Sequence, residues 1–377
     1  MPLNRQKILY IITKGRFGGA QRYLLDLTSN LKNSCDITVA YGEGDALAQK
    51  LKENGIRTIQ IEGLGRDIKL LGDVKAMRNI HKLLKKERPD VLHLNSSKAA
   101  GLGSLAARFA GIKKIVVTIH GFPFREDRYP LWTAAIKSLS WVTLCLATDA
   151  IFVCKKDLEI AQKWFLKPRL HLIHNGVGPI VFESRENARK KLETLGIKND
   201  FWIRNKYIVG TIAELHKNKG LSYALKALKE SPDIGYVIIG EGEERESLEK
   251  EIKKSGLENQ TCLTGFVENA DSLVKAFDIF LLPSVKEGLP YVLLEAGNAE
   301  MPVIATDTGG VSEIIKNGKT GILIRLKNPK EITDSLSYAT KNPKESSVYG
   351  KNLKTLIASE FSLEKMASAT EKLYFNN

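Results

Sequence analysis

Two successive units of strand, loop and helix constrain the fold of this chain most. Residues 277–282 form a short apolar run that predicts a buried strand, and residues 283–289 predict a loop. Pro290 suits the first position of the helix that follows, because no hydrogen bond is lost there. A second buried strand at 301–306 leads into a glycine-rich loop and helix at 308–315. Such units predict a parallel α/β sheet with two helix N-termini at its carboxyl edge, where ligands bind.

Charged side chains lie in the first of these units. Glu287 falls in the predicted loop, and Glu295 lies eight residues further along, in the helix. Eight helical residues span about 12 Å, so the two carboxylates can contact both ends of an extended ligand. Lys286 and the helix N-terminus between them favour a phosphate group. The alternative interpretation is a loop acid and a solvated helix acid without a ligand.

The same alternation of strand, loop and helix runs through the 377 residues. It predicts two Rossmann-like, doubly wound α/β domains, which the length also favours. We place the first domain at 1–178 and the second at 179–360, and expect the terminal helix at 361–377 to pack back on the first domain. A ligand with two parts would then lie in a central cleft that both domains face.

The net charge of +14 comes entirely from the first half, since residues 177–377 are neutral overall. Such a one-sided field favours an anionic partner, for example a membrane surface; a role in solubility alone is the alternative. A nucleic acid is not expected, because no basic–aromatic motif of a known reader is present. The cysteines and histidines show no metal-binding spacing. We therefore expect reduced thiols, no cofactor and no metal.

Glycines and a histidine of the first half stand where parallel sheets bind ligands. Gly18 and Gly19 follow the first strand and precede a helix, where glycine permits close approach by a phosphate or a sugar. His120 ends a later strand, and a backbone-satisfied histidine is its alternative interpretation. In the second half, Lys217 and Lys219 precede a helix and suit a diphosphate, unless they are merely solvated.

Aromatic and basic side chains mix in the loop at 122–129 and the helix at 131–145. Arg125, Arg128 and Trp132 are the residues of this segment that we predict to contact an acceptor or a membrane. The mixture suits a membrane interface, although a core helix fits the helical part equally well. No apolar run is long enough to span a bilayer and no signal peptide is visible, which predicts a cytoplasmic protein. The basic first domain adds the hypothesis that it works as a peripheral protein on the inner face of the membrane.

Several short motifs follow one another in a fixed order along the chain. They are Gly18-Gly19-Ala-Gln, Val117-Thr-Ile-His120-Gly, His174-Asn-Gly-Val177, Lys219-Gly220, Gly240-Glu-Gly242, Gly265-Phe-Val267, Glu287-x7-Glu295 and Gly309-Gly-Val-Ser-Glu313. Together they resemble a retaining, Leloir-type glycosyltransferase of family 4 with the GT-B fold, over nearly the whole chain. The resemblance implies a nucleotide diphosphate sugar as the donor substrate, held by the second domain, and an acceptor held by the first.

The resemblance also implies roles for single residues. Glu287, Lys219 and His120 would act at the reacting sugar: Glu287 on the sugar hydroxyls, Lys219 on the diphosphate, and His120 facing the sugar or the acceptor. The other implied donor contacts are Gly18, Gly19, Lys217, Gly242, Phe266, Val267, Gly288, Leu289, Pro290 and Glu295. Among them, Glu295 would hold the ribose hydroxyls, and Phe266 and Val267 would frame the base.

The activity implied is transfer of a hexose-type sugar to a lipid-linked or glycan acceptor, in cell-surface polysaccharide or glycolipid synthesis. One departure concerns Glu214, which stands where the family commonly has an arginine that clamps the diphosphate. It raises the alternative of a non-catalytic module that binds a nucleotide-sugar or a membrane. A nucleotide-sugar 2-epimerase is a further alternative, but it would need more acid–base side chains than Glu287 and His120 supply.

Overall fold

A computed structural model describes residues 5–15, 18–65, 70–126, 129–164, 166 and 168–375. Its chain divides into two compact units, one of residues 1–178 with 362–377 and the other of residues 179–361. Each unit is a parallel sheet with helices in its crossover connections. The predicted class, two doubly wound Rossmann-like domains of α/β structure, is therefore confirmed.

The first unit is built on one parallel sheet. Its strands are β1 (Lys7–Lys14), β2 (Asp36–Glu43), β3 (Arg57–Gln60), β4 (Val91–Asn95), β5 (Lys114–Ile119), β6 (Asp149–Phe152) and β7 (Arg169–Leu172). Its helices are α1 (Gly19–Leu31), α2 (Ala46–Glu53), α3 (Leu70–Glu87), α4 (Ser97–Ala110), α5 (Pro130–Leu146) and α6 (Lys155–Gln162). In the described residues the strand order is β3-β2-β1-β4-β5-β6-β7. The order reverses between β1 and β4, which makes the carboxyl ends of these two strands the expected ligand position.

The second unit repeats this plan. Its strands are β8 (Tyr207–Ile212), β9 (Ile234–Ile239), β10 (Thr261–Gly265), β11 (Ile279–Leu282), β12 (Val303–Thr306) and β13 (Ile322–Ile324). Its helices are α7 (Arg185–Glu193), α8 (Asn199–Arg204), α9 (Leu221–Leu228), α10 (Arg245–Lys254), α11 (Tyr291–Asn298), α12 (Val311–Ile314), α13 (Pro329–Lys341) and α14 (Pro343–Glu360). The described strands run in the order β10-β9-β8-β11-β12-β13. Here the reversal lies between β8 and β11, and the loops after these strands meet there.

The strands are apolar because both faces of each sheet are covered. In β1 the residues from Ile8 to Ile12 are fully or almost fully buried, and every residue of β9 is buried. Strands buried on both faces have continuous rather than alternating apolar sequences. This pattern explains why the strand positions could be predicted from short apolar runs.

The structure differs from the sequence prediction near the second glycine loop. The helix predicted at 308–315 is only the four-residue α12, because its first residues form the turn that carries Gly309. One turn of helix provides little dipole, so α11 is the substantial helix N-terminus of the pair. Pro290 is the N-cap of α11 with an extended backbone, one position before the predicted place. Helices α6, α8, α10, α13 and α14 and strand β13 were not predicted.

The chain ends in helix α15 (Leu363–Phe375), which belongs to the first unit. Val177 pairs with Ser362 in a short parallel bridge, and α15 then packs against α1. The buried Tyr374 hydroxyl lies 2.9 Å from the hydroxyl of Tyr10 on β1. The last helix of the chain therefore reaches the centre of the first sheet.

Candidate active site

The loops after β8 and β11 are fastened to each other at the switch point of the second sheet. The backbone N–H of Val285 donates to the carbonyl of Asn218 over 2.8 Å. Gly220 ends the first loop in the left-handed conformation (φ 63°), and a Cβ there would lie 2.1 Å from the carbonyl oxygen of Pro283. Only glycine satisfies both conditions. The loop after β8 and the loop after β11 are therefore held at a fixed distance from each other, together with the side chains that they carry.

Lys219 and Glu287 meet across this junction. The Lys219 Nζ lies 2.7 Å from the Glu287 Oε1, and the glutamate side chain is only 9% exposed. A charged pair so largely removed from water needs its partner, because an unpaired carboxylate there would be costly. The sequence predicted both residues as ligand contacts, and the structure brings their charged ends together at the carboxyl edge of the sheet.

The loop after β12 supports Glu287 from the other side. Gly310 donates its N–H to the carbonyl of Gly288 over 2.6 Å. Gly309 has φ 57°, and a Cβ on it would lie 2.0 Å from the carbonyl oxygen of Glu287. The glycine pair, rather than the short helix after it, is what lets this loop press against the glutamate loop. Leu289 and Pro290, which follow Glu287 at the end of the glutamate loop, are buried.

Five other residues predicted as donor contacts lie in the same unit, outside these three loops or at their ends. Glu295 is 8% exposed in the second turn of α11. Phe266, just after β10, has a ring that is 68% exposed, and Val267 beside it is half-buried. Lys217 is exposed, and Gly242 packs so closely on the carbonyl of Leu215 that a Cβ would lie 2.4 Å away. An exposed phenylalanine at a loop edge offers a flat apolar face to a ring ligand.

In the first unit, Gly18 and Gly19 begin helix α1 and are both exposed. A Cβ on Gly19 would meet no atom within 4 Å, so no neighbour in the described residues requires glycine there. The Nε2 of Gln21, in the first turn of α1, donates to the carbonyl of Lys14 at the end of β1 over 2.8 Å. A close approach of a ligand to these two glycines stays a prediction.

His120 follows β5 directly and is held by two neighbours. Its Nε2 lies 3.2 Å from the Oδ1 of Asn95, at the end of β4. The ring of Tyr23 from α1 stands nearly perpendicular to the imidazole, with the centroids 4.9 Å apart. Burial lowers the pKa of His120 to about 4, so the ring is neutral at pH 7. A neutral, fixed imidazole at a carboxyl edge can hydrogen-bond a ligand hydroxyl.

Neutral buried histidines predict a loss of stability in acid. Burial lowers the pKa of His93, on β4, to about 3. Between pH 6.5 and 4 an unfolded His93 binds a proton that the folded ring excludes, so unfolding becomes easier as the pH falls through this window. We expect His93 to contribute a loss of about 3 kcal/mol by pH 4. Urea unfolding between pH 7 and pH 4 measures it, and in His93→Gln the pH dependence should be weaker; an equal dependence would contradict this origin.

The aromatic loop after His120 packs inward. The rings of Phe122 and Phe124 lie 5.3 Å and 5.9 Å from the ring of Trp164, and Phe122 is fully buried. The Arg125 guanidinium lies 2.9 Å from the carboxylate of the buried Asp157. Only part of the predicted aromatic–basic mixture is therefore available to a membrane or an acceptor. Arg128, predicted with Arg125, lies outside the described residues.

Comparison with known proteins identifies the chain. A model described as Glycosyltransferase Family 4 matches residues 17–179, and one described as Glycosyl transferases group 1 matches residues 197–355. The UDP-Gal:α-D-GlcNAc-diphosphoundecaprenol α-1,3-galactosyltransferase of Escherichia coli is 30% identical, over 98% of this chain and 97% of the relative. The chain belongs to glycosyltransferase family 4. The predicted family and enzyme class are thereby confirmed.

Other similarities of this family 4 glycosyltransferase agree with that placement. The O-antigen biosynthesis glycosyltransferase WclY of Escherichia coli is 24% identical over 98% of each chain. The crystal structure of Anabaena Alr3699/HepE in complex with UDP and glucose superposes with a TM-score of 0.84 at 20% identity, covering 98% of this chain and all of that one. The fold is therefore the GT-B fold of these enzymes, and the transferase class is favoured over the epimerase and non-catalytic alternatives.

Glu214 is the departure of this glycosyltransferase from the family pattern, and its side chain is exposed near the start of the loop after β8. If it lies beside the bound diphosphate, Glu214→Arg is expected to strengthen UDP binding about tenfold, the effect of one charged hydrogen bond. Titration calorimetry measures the affinity. Glu258→Arg is the control, because it makes the same charge change at the amino end of β10. Equal UDP affinity in both variants would show that Glu214 does not face the diphosphate.

The sequence did not reveal the residues that orient His120. Asn95 and Tyr23 both contact His120, and neither was assigned a role from the sequence. Both contacts follow from the fold, since β4 and β5 are neighbours in register and the Tyr23 side chain of α1 reaches Thr118 and His120. A polar residue at the carboxyl end of a central strand is the signal that could have identified Asn95.

Proposed function

We propose that this glycosyltransferase moves a hexose from a UDP-activated sugar to a sugar on a polyprenyl diphosphate, and that the anomeric configuration is retained. The acceptor class follows the Escherichia coli galactosyltransferase, whose name specifies a GlcNAc-diphosphoundecaprenol. The Lys219–Glu287 pair carries the proposal for this chain, because it places one cation and one carboxylate at the switch point of the second sheet. The reaction belongs to the synthesis of a cell-surface polysaccharide.

The pair suits a donor with a diphosphate next to a sugar. On binding, the diphosphate takes the Lys219 ammonium as its counter-ion, and the sugar hydroxyls donate to the released Glu287 carboxylate. Without the donor the two side chains satisfy each other. The site is therefore preorganised, and donor binding exchanges one set of charged hydrogen bonds for another.

The chemistry needs stabilisation of the leaving group more than a protein base. The bond between the anomeric carbon and the phosphate oxygen breaks, and the acceptor oxygen bonds to the same carbon on the same face. The acceptor proton passes to a phosphate oxygen of the departing UDP. Lys219 and the N-terminus of α11 stabilise the negative charge that develops there. His120 orients the sugar or the acceptor hydroxyl, and no metal is required, a prediction that excess EDTA tests.

A donor panel tests the proposal. Purified protein is titrated with UDP-, GDP-, ADP- and dTDP-hexoses to measure binding. The slow hydrolysis of each bound donor is then measured. We expect one UDP-hexose to bind and be hydrolysed, with both signals weakened in Glu287→Gln. Binding without hydrolysis or transfer would support a non-catalytic module, and absence of binding by all donors would contradict the proposal.

We further propose that helix α5 of the first unit rests on an anionic membrane at the cytoplasmic face. Its described side chains leave a broad apolar surface in solvent: Leu131 is 86% exposed, Trp132 is 64% exposed and Leu139 is 63% exposed. An uncovered surface of this kind marks a contact site. In the described residues no helix is long and apolar enough to cross a bilayer.

The charge of the chain selects the partner for α5. Lys137 is the one charged residue of α5, and the whole +14 excess belongs to residues 1–176. An apolar helix on a strongly basic unit is complementary to a surface of anionic headgroups over acyl chains. A polyprenyl-linked acceptor lies in such a surface. The unit that carries α5 is thus the one we assign to the acceptor, and residues 179–361 are assigned to the donor.

Vesicle sedimentation tests this surface. Leu131→Ser with Leu139→Ser is expected to lower the affinity for vesicles of phosphatidylglycerol and phosphatidylcholine at least tenfold, because two apolar side chains that enter the membrane on binding are lost. Val181→Ser with Ile203→Ser is the matched control, since both residues are exposed in the second unit. Equal binding of the two double variants would contradict membrane contact by α5.

A further inference from the structure

A row of buried polar side chains connects the C-terminal helix to the centre of the first sheet. The Tyr374 hydroxyl of α15 lies 2.5 Å from the His93 Nδ1, and the His93 Nε2 lies 2.6 Å from the Thr118 Oγ1. All three side chains are almost fully removed from solvent. Buried polar groups in contact of this kind hold one another in a defined orientation.

The row is neutral and can be satisfied completely. Burial holds His93 uncharged and raises the pKa of Tyr374 well above its usual value. A neutral imidazole has one N–H and one bare nitrogen, so His93 donates to one of its two hydroxyl neighbours and accepts from the other. The Tyr10 hydroxyl, 2.9 Å from that of Tyr374, extends the row. Loss of any hydroxyl leaves a buried group without its partner.

The row lies next to His120 and Asn95 along strands β4 and β5. Residues two apart on a strand project to one face, so His93 and Asn95 share a face of β4. Thr118 lies on β5 two positions before His120, which follows the last residue of that strand. Asn95 is the residue whose Oδ1 lies 3.2 Å from the His120 Nε2. β4 thus carries His93 of the buried row and Asn95 of the pair at the ligand edge, and β5 carries Thr118 and leads directly into His120.

Helix α1 makes a second connection between the row and His120. The Tyr23 hydroxyl lies 3.4 Å from the Thr118 Oγ1 and also hydrogen-bonds Thr370 of α15. The Tyr23 ring is the one that stands against the His120 imidazole. The orientation of this ring is therefore fixed at its hydroxyl by the C-terminal helix and at its face by His120.

We propose that the C-terminal helix positions the ring of His120 through Tyr374. The connection runs from Tyr374 by way of His93 and Thr118 to Tyr23, and its effect on the reaction rests on the proposed function of His120. Tyr374 is a positioning residue, because it touches neither donor nor acceptor. Helix α15 follows the whole second unit in the chain but belongs to the first unit. Its last turn, which carries Tyr374, therefore contributes to the geometry of the ligand edge of the first unit.

Tyr374→Phe tests the proposal, with two readouts. We expect the nitrogen and proton NMR signals of the His120 imidazole to shift, and kcat for transfer to fall about tenfold while the KM for the UDP-sugar stays within about twofold. Tyr349→Phe is the control, because it removes another tyrosine hydroxyl, one bonded to Glu345 in the second unit. Its His120 signals and its kcat should match those of the wild type.

Thr118→Val breaks the same row without changing α15, and keeps the proposal testable if Tyr374→Phe does not fold. Unchanged His120 ring signals in a folded Tyr374→Phe or Thr118→Val protein would overturn the positioning role, whatever the activity. A fully active His120→Gln protein would instead overturn the proposed role of His120 in transfer, and the ring shift would still be seen in Tyr374→Phe. The two failures are therefore distinguishable.

Discussion

Glu287→Gln is expected to lower the rate of sugar transfer about 100- to 1,000-fold, the range for a charged contact made with the reacting group. The substitution keeps the shape of the side chain and removes its charge, so the sugar hydroxyls lose a charged acceptor and Lys219 loses its partner in the free enzyme. Turnover at saturating donor and acceptor measures the effect on the chemical step.

The control for this variant is Glu258→Gln, which neutralises an exposed glutamate before β10. It should retain the full rate. The Glu287→Gln protein should still fold, because Gly309 and Gly310 hold the loop through backbone contacts that the substitution leaves in place. A folded Glu287→Gln protein with more than about a third of the wild-type rate would contradict the proposed role of this carboxylate.

Lys219→Ala is expected to weaken UDP-sugar binding about 10- to 100-fold, because it removes a charged hydrogen bond to the diphosphate. It should also lower turnover, since the same charge stabilises the departing UDP. Equilibrium titration with the donor and single-turnover kinetics separate the two effects. Lys229→Ala, an exposed lysine after α9, is the control and should be neutral.

The losses of donor affinity in Glu287→Gln and Lys219→Ala should not be additive in free energy. Either variant alone leaves a charge at the junction without its partner, so the double variant is expected to lose less than the product of the two single losses. A double-mutant cycle in donor affinity measures this coupling. Independent, multiplicative losses would show that Lys219 and Glu287 do not act as a pair on the donor.

Local sequence patterns predicted most of the architecture. Continuous apolar runs located the central strands, since strands buried on both faces cannot alternate with polar residues. Glycine positions located the loops, and Gly309 and Gly220 show the reason, because each has a positive φ and almost touches a neighbouring carbonyl. The fold class followed from the repetition of these units in both halves.

The remaining features depend on contacts between distant segments. The pairing of Lys219 with Glu287 joins residues 68 positions apart and is visible only once β8 and β11 are neighbours. The exposure of α5 could not be decided either, because an apolar helix has the same sequence whether a protein core or a membrane covers it. Helix α12 was predicted too long because its capping turn depends on the loop of Glu287.

Assay of the transferred sugar tests the central claim most directly. Purified protein is incubated with the UDP-hexose selected by the donor panel and a GlcNAc-diphosphoprenol acceptor in anionic vesicles, and the product is analysed by mass spectrometry and NMR. We predict that one hexose is added to the lipid-linked sugar, in the α configuration of the donor. A product of β configuration would contradict retention, and the absence of any transferred hexose would contradict the proposed reaction.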